Sequence, residues 1–294
     1  MYQGEWFQGI EHGQGTSTQS DGSRYEGQTF QGKWHGHGIH TAPDGYTYDG
    51  AWQVGKRHGK GKEEWNDPVK RIEGVFVMDK RQGHGSETCH SEYHFVGEWK
   101  RGGKDGEGVK KWVDGRTYHG QFKCDEMHGH GCMKWATACQ YEGEWLSSKR
   151  HGHGVLTTCC LDQCTNVALR TSCNGKWQAD LQHGHGESAD FCEDGARRDT
   201  YTGTWYAGER QGVGSSSFAD GSSYEGEYVA GVPHGQGCYR YMDGSEYSGG
   251  WCKGEQHGAC NFMFSNGTFY DGEYCQVLHA HKTSHPFTKY QQML

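Results

Sequence analysis

One unit of 23 residues recurs about twelve times along this chain of 294 residues. A repeat of that length is one supersecondary element, and it is stable only when it stacks on its neighbours. Each copy opens with an aromatic residue, then Gly two places on and a second aromatic two further. A His-Gly-x-Gly or Gln-Gly-x-Gly element follows. Tyr2-Gly4-Trp6 leads to His12-Gly13-Gln14-Gly15, and Tyr48-Gly50-Trp52 leads to His58-Gly59-Lys60-Gly61. Tyr141-Gly143-Trp145 and Tyr224-Gly226-Tyr228 lead likewise to His151-Gly152-His153-Gly154 and His234-Gly235-Gln236-Gly237. The opening positions are Tyr2, Tyr25, Tyr48, Ile72, Phe95, Tyr118, Tyr141, Cys173, Tyr201, Tyr224, Tyr247 and Tyr270, spaced by 23 or 24 except for two steps of 32 and 28. The extra residues fall around 159–172 and 190–200, both read as loops. The expected organisation is seven copies over 2–158, an irregular copy with two insertions over 159–200, copies nine to twelve over 201–278, and a tail or cap at 279–294.

Within a copy, Tyr-Glu-Gly-Glu-Trp (141–145) alternates with period two, which predicts a strand. The rings and Gly143 share one face, and Glu142 and Glu144 share the other, expected to be solvated. A turn follows at Gly9, Gly32, Gly55, Gly102, Gly208, Gly231 and Gly254, with Asp79, Asp125 and Asp180 at the same offset; these residues tolerate a left-handed backbone. The second strand begins at His-Gly-x-Gly and ends in Asp-Gly or Asn-Gly, a strong hairpin signal seen at Asp21-Gly22, Asp44-Gly45, Asp114-Gly115, Asp220-Gly221, Asp243-Gly244 and Asn266-Gly267. Glycine weakens strands. Its compensation here is expected to be space, with a Tyr or Trp ring of the adjacent strand lying over the missing side chain.

The fold class follows as all-β: an elongated, single-layer, twisted antiparallel meander of about twelve β-hairpin repeats, a solenoid-like ribbon. At roughly 9–10 Å per two-stranded unit it would be on the order of 110 Å long. Composition agrees. Gly is 49 of 294 residues, well above the usual ~7%, while Pro is only 4. The 11 Trp, 17 Tyr and 11 Phe argue against disorder. Thirteen cysteines, with the repeat starting at Tyr2, are read as reduced thiols in a cytoplasmic compartment. No apolar run of 18 residues is present.

The pattern resembles the MORN repeat (membrane occupation and recognition nexus), whose consensus runs Tyr-x-Gly-x-Trp-x-x-Gly-x-x-His-Gly-x-Gly. The resemblance spans residues 2–278. Cys173 departs from it at an opening position, Cys260 replaces a closing Gly, and the last copy lacks the His-Gly-x-Gly half. Chains made almost only of such repeats are similar to proteins of the eukaryotic cytoskeleton, including flagellar radial-spoke heads. The resemblance therefore implies a cytoplasmic, cytoskeletal location, on a cilium, flagellum or cell cortex, within a large protein assembly.

Among chemical constellations, the pairs His35/His37, His128/His130, His151/His153 and His183/His185 each put two imidazoles on one side of a strand. The competing reading is a consensus His at the turn followed by a variable surface residue, and no metal site is assigned. Cys159, Cys160, Cys164 and Cys173 lack the Cys-x-x-Cys spacing of zinc knuckles. Cys132 and Cys238 share an offset that suggests a small buried strand position. The Gly-x-Gly elements have no following helix to receive a phosphate. Neither a catalytic signature nor a cofactor motif is found, so the chain is read as a non-enzyme.

Function is expected on the surface. Parity places Trp65, Trp112, Trp135, Phe218, Tyr241 and Phe264 on one face of the second strands, near the Asp-Gly turns. A row of rings along a shallow groove would bind a partner segment. Net charge is −8, yet residues 48–123 carry 15 Lys and Arg against 12 Asp and Glu, a net +3 that leaves −11 on the remainder. Lys56, Arg57, Lys60, Lys62, Lys100, Arg101 and Lys104 are thus candidates for an anionic leaflet, although interspersed carboxylates oppose this. Nucleic acid is excluded by the sign of the net charge. The preferred reading is a scaffold with protein partners and self-association through end strands; the alternatives are a peripheral membrane organiser and a regulatory subunit of an enzyme complex.

Overall fold

The computed structural model describes residues 1–66, 69–161, 168–192 and 197–274. All regular structure among them is β-strand. The chain forms two units, Met1–Ala136 with Trp145–Ser148, and Thr137–Glu144 with Lys149–Leu294. In the first, twelve strands from Tyr2–Phe7 to Glu126–Lys134 pair each with the next, always antiparallel. In the second, ten strands from Lys149–Leu161 to Phe269–Tyr274 do the same. Within each unit a strand packs substantially only on its sequence neighbours, so each is a single layer.

A single layer has no second sheet to cover its rings, and here the rings cover one another. Tyr25, Tyr48, Phe95, Tyr118, Tyr141, Tyr201 and Tyr247 are fully buried. All but Tyr247, whose hairpin has Cys260 in place of the second glycine, lie over the glycines of their own hairpin: a Cβ on Gly61 would sit 2.3 Å from the Tyr48 hydroxyl, and one on Gly237 2.3 Å from that of Tyr224. The hydroxyl then donates to a carbonyl three residues on, Tyr48 to Ala51 at 3.0 Å and Tyr224 to Glu227 at 3.0 Å. The expected exchange of glycine for ring space is therefore how the core is built. First and second rings meet edge-on within and between copies, as Tyr48 with Trp52 (5.0 Å) and with Phe76 of the next copy (5.3 Å). The indole N–H of Trp52 donates back one copy to Gly38 O at 3.0 Å, and Trp177 reaches Gly154 O at 3.0 Å.

The first turn is a two-residue type I′ hairpin with both residues in the left-handed region, such as Val54 (φ 53°) and Gly55 (φ 75°) between Gln53 and Lys56. The Asp-Gly turn is of a different kind. Gly221 N donates to Phe218 O at 3.0 Å and Phe218 N to Ser222 O at 2.9 Å, a type I turn closed by a glycine bulge with only Gly221 left-handed. The Asp220 carboxylate accepts from Ser222 N at 2.9 Å, a bond repeated at Asp21, Asp44, Asp114, Asp243 and Asn266. A further bulge sits at His-Gly, and its freed N–H is capped across the hairpin: Glu144 accepts from His153 N at 2.8 Å and Gln28 from His37 N at 3.2 Å. Glu144 is therefore half-buried and bonded, not solvated as its parity suggested.

The insertions are only partly loops. Lys149–Leu161 and Ala168–Gln178 pair without a break from Gly152↔Trp177 to Leu161↔Ala168, because the run Val155-Leu156-Thr157-Thr158 favours a strand and simply lengthens the hairpin. Residues 162–167 (with Cys164), 193–196 and the tail 279–294 lie outside the described residues. Cys132 and Cys238, expected to be buried, are half-buried and face away from the rings, in register with His119 and Glu225.

Candidate functional site

The sheet face that carries the rings also carries the residue opening each Asp-Gly turn. Trp112, Phe218, Tyr241 and Phe264 are those residues, as shown by the bonds from their N–H groups to Arg116, Ser222, Ser245 and Thr268 O. Most of the rings selected from parity stay partly accessible. Trp65, Trp112, Trp135 and Tyr241 are half-buried, and Phe264 is 37% exposed. Phe218 departs from the expectation. It is buried and stacked on Tyr239 of the next copy at 6.0 Å.

A row of cations on the same face was visible in the sequence at a constant offset, nine residues after the opening position, and was not singled out. Arg57, Arg81, Lys104, Arg150 and Arg210 occupy it. Each lies over rings: Arg81 at 4.1 Å from Trp99, Arg150 at 4.6 Å from Trp177 and Arg210 at 4.6 Å from Tyr201. Arg57 donates to Tyr46 OH (2.8 Å), Glu63 and Asp79 (3.3 Å). Glu87, almost fully buried, meets Lys70 at 2.6 Å, Lys104 at 2.9 Å and the Tyr93 hydroxyl at 2.9 Å. Burial alone would raise the Glu87 carboxyl, but hydrogen bonds from Lys104 and Lys70 hold it at about 2. Lys110 rests between Tyr93 (4.0 Å) and Trp112 (4.8 Å); burial first, then nearby Lys104, lowers its ammonium below the usual range.

These placements correct the proposed basic surface. Arg57 and Lys104 are committed to ion pairs inside the aromatic face, where their charge is already neutralised. Lys60 and Lys62 lie on the opposite face; Lys62 is in register with Asp49 and Glu73 and pairs with Glu64. Lys56, Lys100 and Arg101 are exposed at or beside two-residue turns. The seven cations thus form no single patch. The first His of each His-x-His pair is half-buried and the second exposed. Among the described residues no group of three His, Cys, Asp or Glu is placed to hold a metal ion.

An open cavity of about 590 Å³ sits on the aromatic face of the first unit, walled by Trp34, Trp52, Tyr46 and Trp65, with Arg57, Glu63, Asp44, Asp79 and His40 at its polar side. It joins Trp65, selected from parity, to three rings that were not.

A family model, the MORN repeat, matches residues 2–24, 25–45, 48–67, 73–91, 95–115, 118–140, 141–159, 173–188, 201–223, 224–246 and 247–269. The segment opening at Tyr270 is not among the matches, in keeping with its missing second half. A comparison with curated proteins finds no match.

Proposed function

The chain belongs to the MORN-repeat family, whose repeats serve protein interaction or membrane association, and we propose that it is a non-catalytic scaffold that seats a segment of a partner protein on its aromatic face. One observation carries the reading. Consensus rings such as Tyr48 and Tyr118 are wholly buried, whereas Trp65, Trp112 and Trp135 on the same face keep part of their surface open, the first two beside cations. Large rings held rigidly by neighbours lose little entropy on binding, which is why such residues dominate interface energetics. A cytoskeletal setting, ciliary or flagellar by resemblance, belongs to the same proposal. The test is affinity purification from the native cell with wild type and a Trp112→Ala/Trp135→Ala variant that keeps its β-sheet circular dichroism. Loss of specific partners from the variant supports the scaffold face, and retention of every partner overturns it.

Membrane association would have to rest on Lys56, Lys100 and Arg101 at the turns, since Arg57 and Lys104 are internally paired. Flotation with anionic vesicles at low salt separates that mode from the protein-binding one.

A further inference from the structure

The cavity between Trp34 and Trp65 has a charge balance opposite to that of the neighbouring copies. Asp44, Glu63 and Asp79 face a single permanent cation, Arg57. Burial shifts the His40 imidazole below its usual range, against its charged form, despite Asp21 nearby. The pocket therefore carries an excess of about two negative charges on aromatic walls. Arg57 does not act as a free cation there, being held by Glu63, Asp79 and the Tyr46 hydroxyl.

The repeat itself indicates what is missing. Copies three, four, five, seven and nine place a Lys or Arg nine residues after the opening position, and that cation lies over rings of its own or the following copy. In copy two the position is Trp34. Its indole stacks flat on Tyr25 (4.4 Å, 6°) and stands edge-on to Trp52 (4.8 Å). Trp65, tilted against Tyr46 at 5.1 Å, forms the far wall. Here an indole takes the cation's place against Tyr25 and Trp52, and an aromatic cavity opens beside it.

We propose that this cavity receives an arginine side chain from the partner segment. The inference rests on the reading of the aromatic face as a partner site. A guanidinium suits the geometry because it is planar, stacks on indole faces and pairs with carboxylates through a fork of N–H donors. The chain already makes the same contact internally, with Arg57 between Tyr48 and Phe76 and paired to Asp79. Aromatic walls with acidic groups at the mouth are the general solution for binding a cation that must leave water.

The probe is the pentapeptide acetyl-Ala-Ala-Arg-Ala-Ala-amide, titrated into the full chain while the indole N–H resonances are followed by NMR. The control replaces Arg by citrulline, which has the same shape without the charge. The expected result is saturable shifts of the Trp34, Trp52 and Trp65 signals at millimolar peptide, at least tenfold weaker with citrulline. Asp44→Asn keeps the turn, since Asn266 makes the same bond to Thr268 N, and should weaken the Arg peptide severalfold. Trp65→Ala should abolish the shifts, and Trp112→Ala should leave them unchanged. Equal binding of the citrulline peptide, or full binding by Asp44→Asn and Trp65→Ala, overturns the proposal. If the Arg peptide fails while Trp112→Ala/Trp135→Ala still loses its partners, the arginine pocket is wrong and the scaffold face stands. Preference for an inositol-phosphate headgroup over the Arg peptide would likewise overturn it.

Discussion

At the scale of the residue, the structure turns on where a side chain is forbidden or strained. A methyl group at Gly61 would meet the Tyr48 ring and hydroxyl within 2.6 Å, and the ring is fixed by its bond to Ala51 O. Gly61→Ala is therefore expected to lower stability by about 1–3 kcal/mol, the cost of overpacking, read as the midpoint of denaturant unfolding. Val54 is the opposite case. A β-branched residue holds φ 53° at the first position of a type I′ turn and makes no use of its side chain, which is exposed. The left-handed backbone costs an ordinary residue roughly 1–2 kcal/mol, and Asn is among the residues that tolerate it. Val54→Asn should raise the melting temperature, by the equivalent of about 1 kcal/mol. Glu87 links charge to stability. Its folded carboxyl is held at about 2 against an ordinary 4.5, so its contribution is complete above pH 4.5 and is lost as pH falls through that value towards 2. Stability of the wild type should fall more steeply between pH 5 and 2.5 than that of Glu87→Gln, measured by denaturant melts across that range. Equal slopes would remove Glu87 as the source.

At the scale of the element, the hairpin was legible because its signals recurred from copy to copy. Period-two alternation, Asp-Gly pairs and paired glycines each located a strand or a turn correctly. Turn chemistry was less legible. Asp-Gly suggests two left-handed residues, but the Asp carboxylate bonds the N–H two residues on and only the Gly turns left-handed. The buried charges were hidden for another reason. Glu87 finds Lys70 and Lys104 seventeen residues to either side, so its own copy shows Arg81 and Tyr93 but not the two closest cations. The constant offset of Arg57, Arg81 and Lys104 was the available signal. Departures from the consensus also have local consequences. Where Ile72 and Cys173 replace the opening ring, no tyrosine covers Gly85 or Gly186, and Trp99 and Trp205 of the next copies move in, with Cδ1 at 3.4 and 3.3 Å from the positions a Cβ would take. Both indole N–H groups are then buried without a partner, whereas Trp52 and Trp177 bond a glycine carbonyl one copy back. Cys173→Tyr should return Trp205 to that bond. Its indole N–H resonance would move downfield and exchange more slowly; an unchanged resonance would contradict this account of the irregular copy.

At the scale of the molecule, each unit is a ladder whose strands pair with their sequence neighbours while rings and charges reach into the next copy, so its stability is built from adjacent copies and its function from whatever the repeating core leaves open. The consensus rings and glycines are used up in holding the layer together. What varies from copy to copy on the same face is the residue opening the Asp-Gly turn and the charge beside it, and these give the face its specificity. The sequence indicated the face and most of its rings, but not which would be buried, because that depends on the next copy, as Tyr239 covers Phe218. The central claim is that partners are taken on this face. It is tested most directly by site-specific photocrosslinking in the native cell, with benzoylphenylalanine at Trp112 on the ring face and at His119 on the opposite face, two positions on successive copies of the first unit. The account predicts crosslinked partner from position 112 and none from 119; crosslinks from 119 alone, or equally from both, would contradict it.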